Sequence, residues 1–399
     1  MIASLKFQVA LLAALQALLL TNNVTLIAIS GLAGFTLAED KLFATLPVTG
    51  YVLGGAVFSM IAAQTMRRLG RRAGYTIGAL VAIAGALLAW YALSRGSLLL
   101  LAAATFVTGA YNAFGASYRF AAADVADAYR PSFRSRAISL VLAGGIVGGV
   151  IGPEISKLTR TALPTLFAGS YLSLVAFGIA SLLLAQLLRL PAGTAGAAQG
   201  PVRPLSEILA QPACWVAILV AALAYGVMNL VMVSTPLAME VCSHPYALAA
   251  LVLEWHVIGM FAPGLFTGAL IARAGIIPVI VAGCVLMLGC TVIALSGVDL
   301  MQFLVGLFLL GVGWNFMYTG ATTLLTTAYR PQEKNKVQGF NDSVVFSTMV
   351  TSSFSSGALL HVEGWYTINA MSIPFVLLAL GAVLWLARGT GWRLGRVVG

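Results

Sequence analysis

Apolar stretches of about twenty or more residues recur along the whole chain, parted by short polar turns, and this spacing constrains the fold most. A run of that length matches the ~30 Å hydrocarbon layer of a bilayer at ~1.5 Å per helical residue. The pattern predicts twelve spanning helices, at 7–35, 43–66, 73–93, 97–121, 136–159, 163–188, 213–238, 246–271, 276–296, 300–328, 336–360 and 363–387. Composition agrees. Of 399 residues, 60% are hydrophobic and only 9% charged, whereas soluble domains carry roughly a quarter charged residues. The first stretch is too long for the apolar core of a cleaved leader and reads as a spanning helix.

The net charge of +10 is topological. With the amino terminus placed inside, 18 of the 22 basic residues fall in the inner loops. Only Lys41, Arg95, Lys157 and Arg160 fall on the other side. That asymmetry places both termini in the cytoplasm and removes the reason to read the charge as a nucleic-acid footprint.

One long polar break, 190–212, is rich in Pro, Gly and Ala and divides the chain into two six-helix bundles, 1–189 and 213–399. Such a segment reads as a flexible cytoplasmic linker. The halves repeat. Ala63-x-x-x-x-Arg68-x-Gly70-Arg71-Arg72 follows the second helix, and Gly268-x-Leu270-x-x-Arg273-x-Gly275 follows the eighth. Ala128-Tyr129-Arg130-Pro131 returns as Ala328-Tyr329-Arg330-Pro331, and Asn23 is answered by Asn229. Matches near one offset indicate duplication.

On these residues the chain resembles the major facilitator superfamily over essentially its full length. The resemblance implies an all-α membrane fold, two six-helix bundles related by a pseudo-two-fold axis, working by alternating access. The Arg68 loop looks like that superfamily's signature, with Arg67 where an acidic residue is usual. Gly148-x-x-x-Gly152-Pro153 is similar to part of a motif of proton-linked drug antiporters, and drug efflux is therefore one alternative activity. The same glycines also permit close helix packing.

Two motifs carry chemistry. The seventh helix holds Met228-Asn229-Leu230-Val231-Met232 and the eighth His256-Val257-Ile258-Gly259-Met260. Residues four apart share a helix face. Counting from the outer ends puts Met228 and His256 both roughly 15 Å deep. Thioether and imidazole donors suit copper, especially Cu(I), and suit hard cations poorly. Methionine also fills gaps in helical cores, but an intramembrane histidine needs a reason. Met239, Cys242 and His244 lie outward of this set and form a possible metal entry route.

The motif pair and its flanks, Asn229 to Pro236 and Trp255 to Pro263, resemble CcoA-type bacterial copper importers, a branch of the superfamily. The resemblance implies copper import across the bacterial inner membrane, supplying cbb3-type cytochrome c oxidase assembly. It makes Met228, Met232, His256 and Met260 the ligands, copper the transported substrate with no permanently bound cofactor, and copper chaperones or oxidase assembly factors the downstream partners. Those importers carry an early cysteine, whereas the first cysteine here is Cys214. A sister branch imports riboflavin, and this is the alternative cargo. A flavin site wants aromatic surfaces and neutral polar partners, which Trp255, Trp314, Asn315, Asn112 and Tyr225 offer.

Glu254, two residues before His256, is costly in a membrane unless it faces a cavity and is the candidate proton carrier. Asp342 is the second. Arg119, Asp124 and Asp127, with Arg68, Arg71 and Arg273 in the repeated loops, read as a charge network that gates the cytoplasmic ends. Enzyme readings fail on inventory. Histidine occurs only at 244, 256 and 361, and neither a nucleophile elbow nor a phosphate-cradling Gly-Lys-Ser/Thr loop occurs. Without a nucleotide site, a primary pump is excluded too.

Overall fold

The structure, a computed structural model, describes residues 2–130, 133–190 and 203–392, and these are helical without a strand among them. Most of the predicted linker, 191–202, lies outside the described residues, as does Pro131 of the repeated motif. The helices are α1 Ile2–Leu37, α2 Leu46–Leu69, α3 Arg71–Ser94, α4 Leu98–Gly115, α5 Tyr118–Tyr129, α6 Arg134–Thr159 and α7 Ala168–Gln186. After the short α8 Leu205–Leu209 come α9 Pro212–Val241, α10 Tyr246–Phe261, α11 Gly264–Ala274, α12 Ile276–Ser296, α13 Leu300–Thr326 and α14 Lys334–Thr390.

Nine of these segments each make one span, counting α4 with α5 as one run. A tenth is the pair α10 and α11, bent by 40° about Pro263. The 57 residues of α14 would reach ~85 Å as one rod, far beyond a bilayer. Gly364 breaks that rod with φ 79° and ψ 177°, a conformation open to glycine and costly for other residues. The two limbs of α14 are therefore separate spans, and the total among the described residues is twelve. The break lies at Gly364, two residues past the predicted gap of 361–362.

Helix starts and stops follow local chemistry. Pro47 and Pro212 occupy first-turn positions, where a missing N–H costs nothing. Gly70 and Gly275, matched by the sequence repeat, end α2 and α11 with φ of 85° and 102°.

The packing pattern repeats between halves. In the first, α1 packs on α6, α2 and α3 on α4, and α3 on α7. In the second, α9 packs on the first limb of α14, where Asn229 Nδ2 donates to Met349 O and Ser352 Oγ. Helices α10 and α12 pack on α13, and α12 also meets the second limb, through a Thr291–Ser372 hydroxyl pair at 3.0 Å. Helix α9 is the most enclosed span, because it meets both its own half and α1.

Candidate substrate site

Met228 and Met232 on α9 and His256 and Met260 on α10 are all buried, as is Met239. Helix α10 lies against α13 so closely that a side chain at Gly311 would strike the His256 carbonyl. Here the His256 Nδ1 sits 2.7 Å from Leu307 O. A carbonyl only accepts, so Nδ1 carries the proton and Nε2 keeps its lone pair. That Nε2 is buried without a protein partner. Among the described residues no three His, Cys, Asp or Glu side chains cluster as a metal nest, so any metal site here would be built on thioethers and one imidazole. Cys242 caps α9 and is partly exposed; His244 Nε2 lies 2.8 Å from Val298 O with its ring edge-on to Phe303.

Toward the end with the basic loops, four aromatic rings from three helices meet. Tyr225 of α9 stands edge-on to both Trp314 and Tyr318 of α13, with centroids 5.0 and 4.7 Å apart. Trp314 and Tyr318 stack at 5.4 Å, as residues four apart on one helix face can. Phe261 of α10 closes the group at 6.4 Å from Trp314. Tyr225, Tyr318 and Phe261 are partly exposed, while the Trp314 Nε1–H is buried and meets no acceptor. Of the other expected flavin contacts, Asn315 is engaged at both ends, by Thr267 and by Met260 O, each at 2.7 Å. Trp255 is 44% exposed and packs on Phe308, away from the cage. Asn112 accepts from Asn23 at 3.0 Å, and the Tyr51 hydroxyl also bonds Asn23. Sequence reasoning missed Phe261, Tyr318 and this Asn23–Tyr51 pair. The signal for Tyr318 was its four-residue spacing from Trp314.

Charged groups sit at two levels. Glu254 is half-buried with Glu154 and Lys157 of α6 as charged neighbours, and these two form an ion pair. Asp342 of α14 is exposed, accepts from Asn341 at 3.1 Å and has Arg119 as its charged neighbour. Both also neighbour Tyr225 and Tyr318. The Arg119 guanidinium lies 4.8 Å from the Phe120 ring centre. Arg71 pairs with Asp124 at 2.6 Å, and Arg68 and Arg273 are exposed.

Away from the basic loops the halves are pinned together. Thr49 Oγ1 bonds Ser353 Oγ at 3.4 Å, and Gly357 leaves room for Thr45. Gly31 faces Leu237. The Tyr246 hydroxyl donates to Ser156 at 2.6 Å, and the Arg160 guanidinium lies 4.5 Å from the Tyr246 ring centre.

A family model described as Major Facilitator Superfamily matches residues 9–347. The riboflavin transporter RfnT of Brucella anthropi is 39% identical over 368 residues, covering 92% of each chain. An uncharacterized MFS-type transporter of Bacillus subtilis, YddS, is 28% identical over 89% of this chain and 86% of its own. Among solved structures, the nucleoside transporter NupG superposes with a TM-score of 0.75 at 15% identity, covering 96% of this chain and 99% of that one. The E. coli xylose transporter XylE, in a partially occluded inward-open conformation, gives 0.71 at 12%, covering 97% and 98%.

Proposed function

The chain belongs to the major facilitator superfamily of multi-pass membrane transporters, and from that premise we propose that it imports riboflavin or a closely similar planar aromatic solute. The observation that carries this reading is the 39% identity, across nearly all of both chains, to a protein named as a riboflavin transporter. The aromatic cage supports it. Rings from α9, α10 and α13 offer faces and edges to a tricyclic ring system. A buried indole N–H without an acceptor is a standing cost that a flavin carbonyl would relieve. The cage lies beside Arg119 and Asp342, whereas contacts between halves pin the opposite end. By the positive-inside rule the pinned end is periplasmic and the protein sits in the bacterial inner membrane with both termini in the cytoplasm. Glu254 and Asp342 are the proposed proton carriers, and the Arg71–Asp124 pair with Arg119, Arg68 and Arg273 the gate.

A second reading, copper import, keeps one specific observation in its favour: an imidazole nitrogen with a free lone pair on the helix next to two buried thioethers. Copper would then be the substrate, held by Met228, Met232, His256 and Met260. Uptake of labelled riboflavin and of copper, measured in parallel in cells lacking the corresponding importers, separates the two. Riboflavin accumulation that requires Trp314, with copper unchanged, is the expected result. Copper accumulation lost in His256→Ala and Met232→Ala, without riboflavin uptake, would replace the first reading by the second.

A further inference from the structure

At the basic end of the first half, a cavity of about 550 Å³ opens between the start of α1, the start of α3 and the end of α7, lined by Phe7, Gln8, Arg72, Gln186, Leu187 and Arg189. Its polar floor is fixed. Gln8 is only 2% exposed, and its Oε1 accepts the Arg189 N–H at 2.7 Å, tying the chain after α7 to α1. Arg72 Nη2 donates to Gln186 Oε1 at 3.3 Å, and Gln186 Nε2 donates in turn to Thr76 Oγ1 at 2.9 Å. The guanidiniums of Arg72 and Arg189 are exposed, and among the described residues neither has a carboxylate within ion-pair reach. This contrasts with the adjacent Arg71, which Asp124 neutralises. Two unneutralised guanidiniums on one cavity form a site for an anion.

The apolar members decide which anion. Phe7 and Leu187 are each 52% exposed at the ends of membrane-spanning helices, where an exposed ring or aliphatic chain faces acyl chains. A free phosphate would occupy a small part of the cavity and leave that apolar rim unused. A phosphodiester carrying a glycerol headgroup and two acyl chains uses both parts. We propose that this cavity holds the headgroup of an anionic phospholipid from the leaflet at the basic end, with Arg72 and Arg189 binding the phosphodiester and Phe7 and Leu187 packing on its chains. Basic pockets between helices on this side of a membrane have the right chemistry for such headgroups. The site is separate from the aromatic cage and stands whichever solute is carried.

The test is native mass spectrometry of the full-length protein released from nanodiscs of equal phosphatidylglycerol and phosphatidylcholine. Wild type should retain phosphatidylglycerol in preference by about tenfold, and millimolar inorganic phosphate should leave that preference unchanged. Arg72→Gln combined with Arg189→Gln should abolish it, while Arg95→Gln, which removes one charge at the opposite end, should not. Equal retention of both lipids by wild type, undiminished preference in the double variant, or displacement by free phosphate would each overturn the proposal. If the double variant is not monodisperse, Arg189→Gln alone decides by the same criterion, since its side chain lies beyond the end of α7.

Discussion

Tyr225 and Trp314 meet edge to face across two helices, with ring centres 5.0 Å apart and planes at 86°. Tyr225 packs in the same way on Tyr318, so one phenol ring bridges two aromatic residues that stack on each other. An edge-on ring presents its positive rim to the face of its partner, which fixes the group without further bonds. The arrangement is preformed, and a planar solute entering it meets rings already in place.

Removing the central ring is therefore the most direct challenge to the cage. Trp314→Ala should lower riboflavin uptake by about tenfold, the equivalent of one lost aromatic contact. Trp314→Phe keeps the stack but lacks the indole N–H and should recover part of that loss. Transport assays at matched membrane abundance measure both; equal uptake by all three proteins would remove the cage from the binding site.

Tyr246 and Ser156 bond across the two halves at 2.6 Å. Tyr246→Phe deletes that bond, worth about 1 kcal/mol, and should shift the balance between outward- and inward-facing states several-fold toward opening at this end. Ser353, buried behind Thr45 and Thr49, reports the change. With Cys242→Ala removing the accessible native thiol, Ser353→Cys should react faster with a maleimide in the presence of Tyr246→Phe, and an unchanged rate would deny the bond a gating role.

Cys214, Cys284 and Cys290 are buried, leaving Cys242 as the accessible thiol. Partial burial pushes the Cys242 thiol above its ordinary value of 9.0, and only the thiolate reacts. Alkylation of the native protein should start at Cys242, run slowly at neutral pH and still be accelerating at pH 9. Peptide mapping after timed quenching shows the order.

Glu333 is fully buried in the turn before α14. Both its oxygens accept from Arg203, through Nε and Nη2 at 2.7 Å each, and the Arg330 N–H donates to it at 2.9 Å. The Arg203 bonds, then the backbone bond, hold its carboxyl down at about 2, against an ordinary value of 4.5. A depressed acid stabilises the fold above the ordinary value, and that contribution drains away as pH falls from 4.5 toward 2. Glu333→Gln should lower the melting temperature by several degrees at pH 7, because Arg203 loses its bidentate carboxylate partner and keeps only the longer 3.9 Å pair with Glu207. The gap between the two proteins should shrink below pH 4. A gap independent of pH would mean that the carboxylate charge contributes nothing.

Span lengths, the charge bias and the Gly70/Gly275 repeat were legible in the sequence because a bilayer dictates length and because glycine marks a backbone that others resist. His256 was visible as an ionisable residue in a span. Its partner was not, because Leu307 contributes a backbone oxygen, which leaves no sequence mark. Trp314 and Tyr225 were visible as aromatics, but Phe261 joins them only through the way α10 leans on α13. The cargo was ambiguous for the same reason. Met-x-x-x-Met and His-x-x-x-Met spacings describe faces of single helices, and the neighbours of those faces are set by tertiary packing.

The turn at Gly364 has a mechanical consequence. A one-residue connection holds no slack, so the eleventh span cannot tilt, rise or rotate without dragging the twelfth along at that end. Whatever rocking the carrier performs, its last two spans move together where Gly364 joins them.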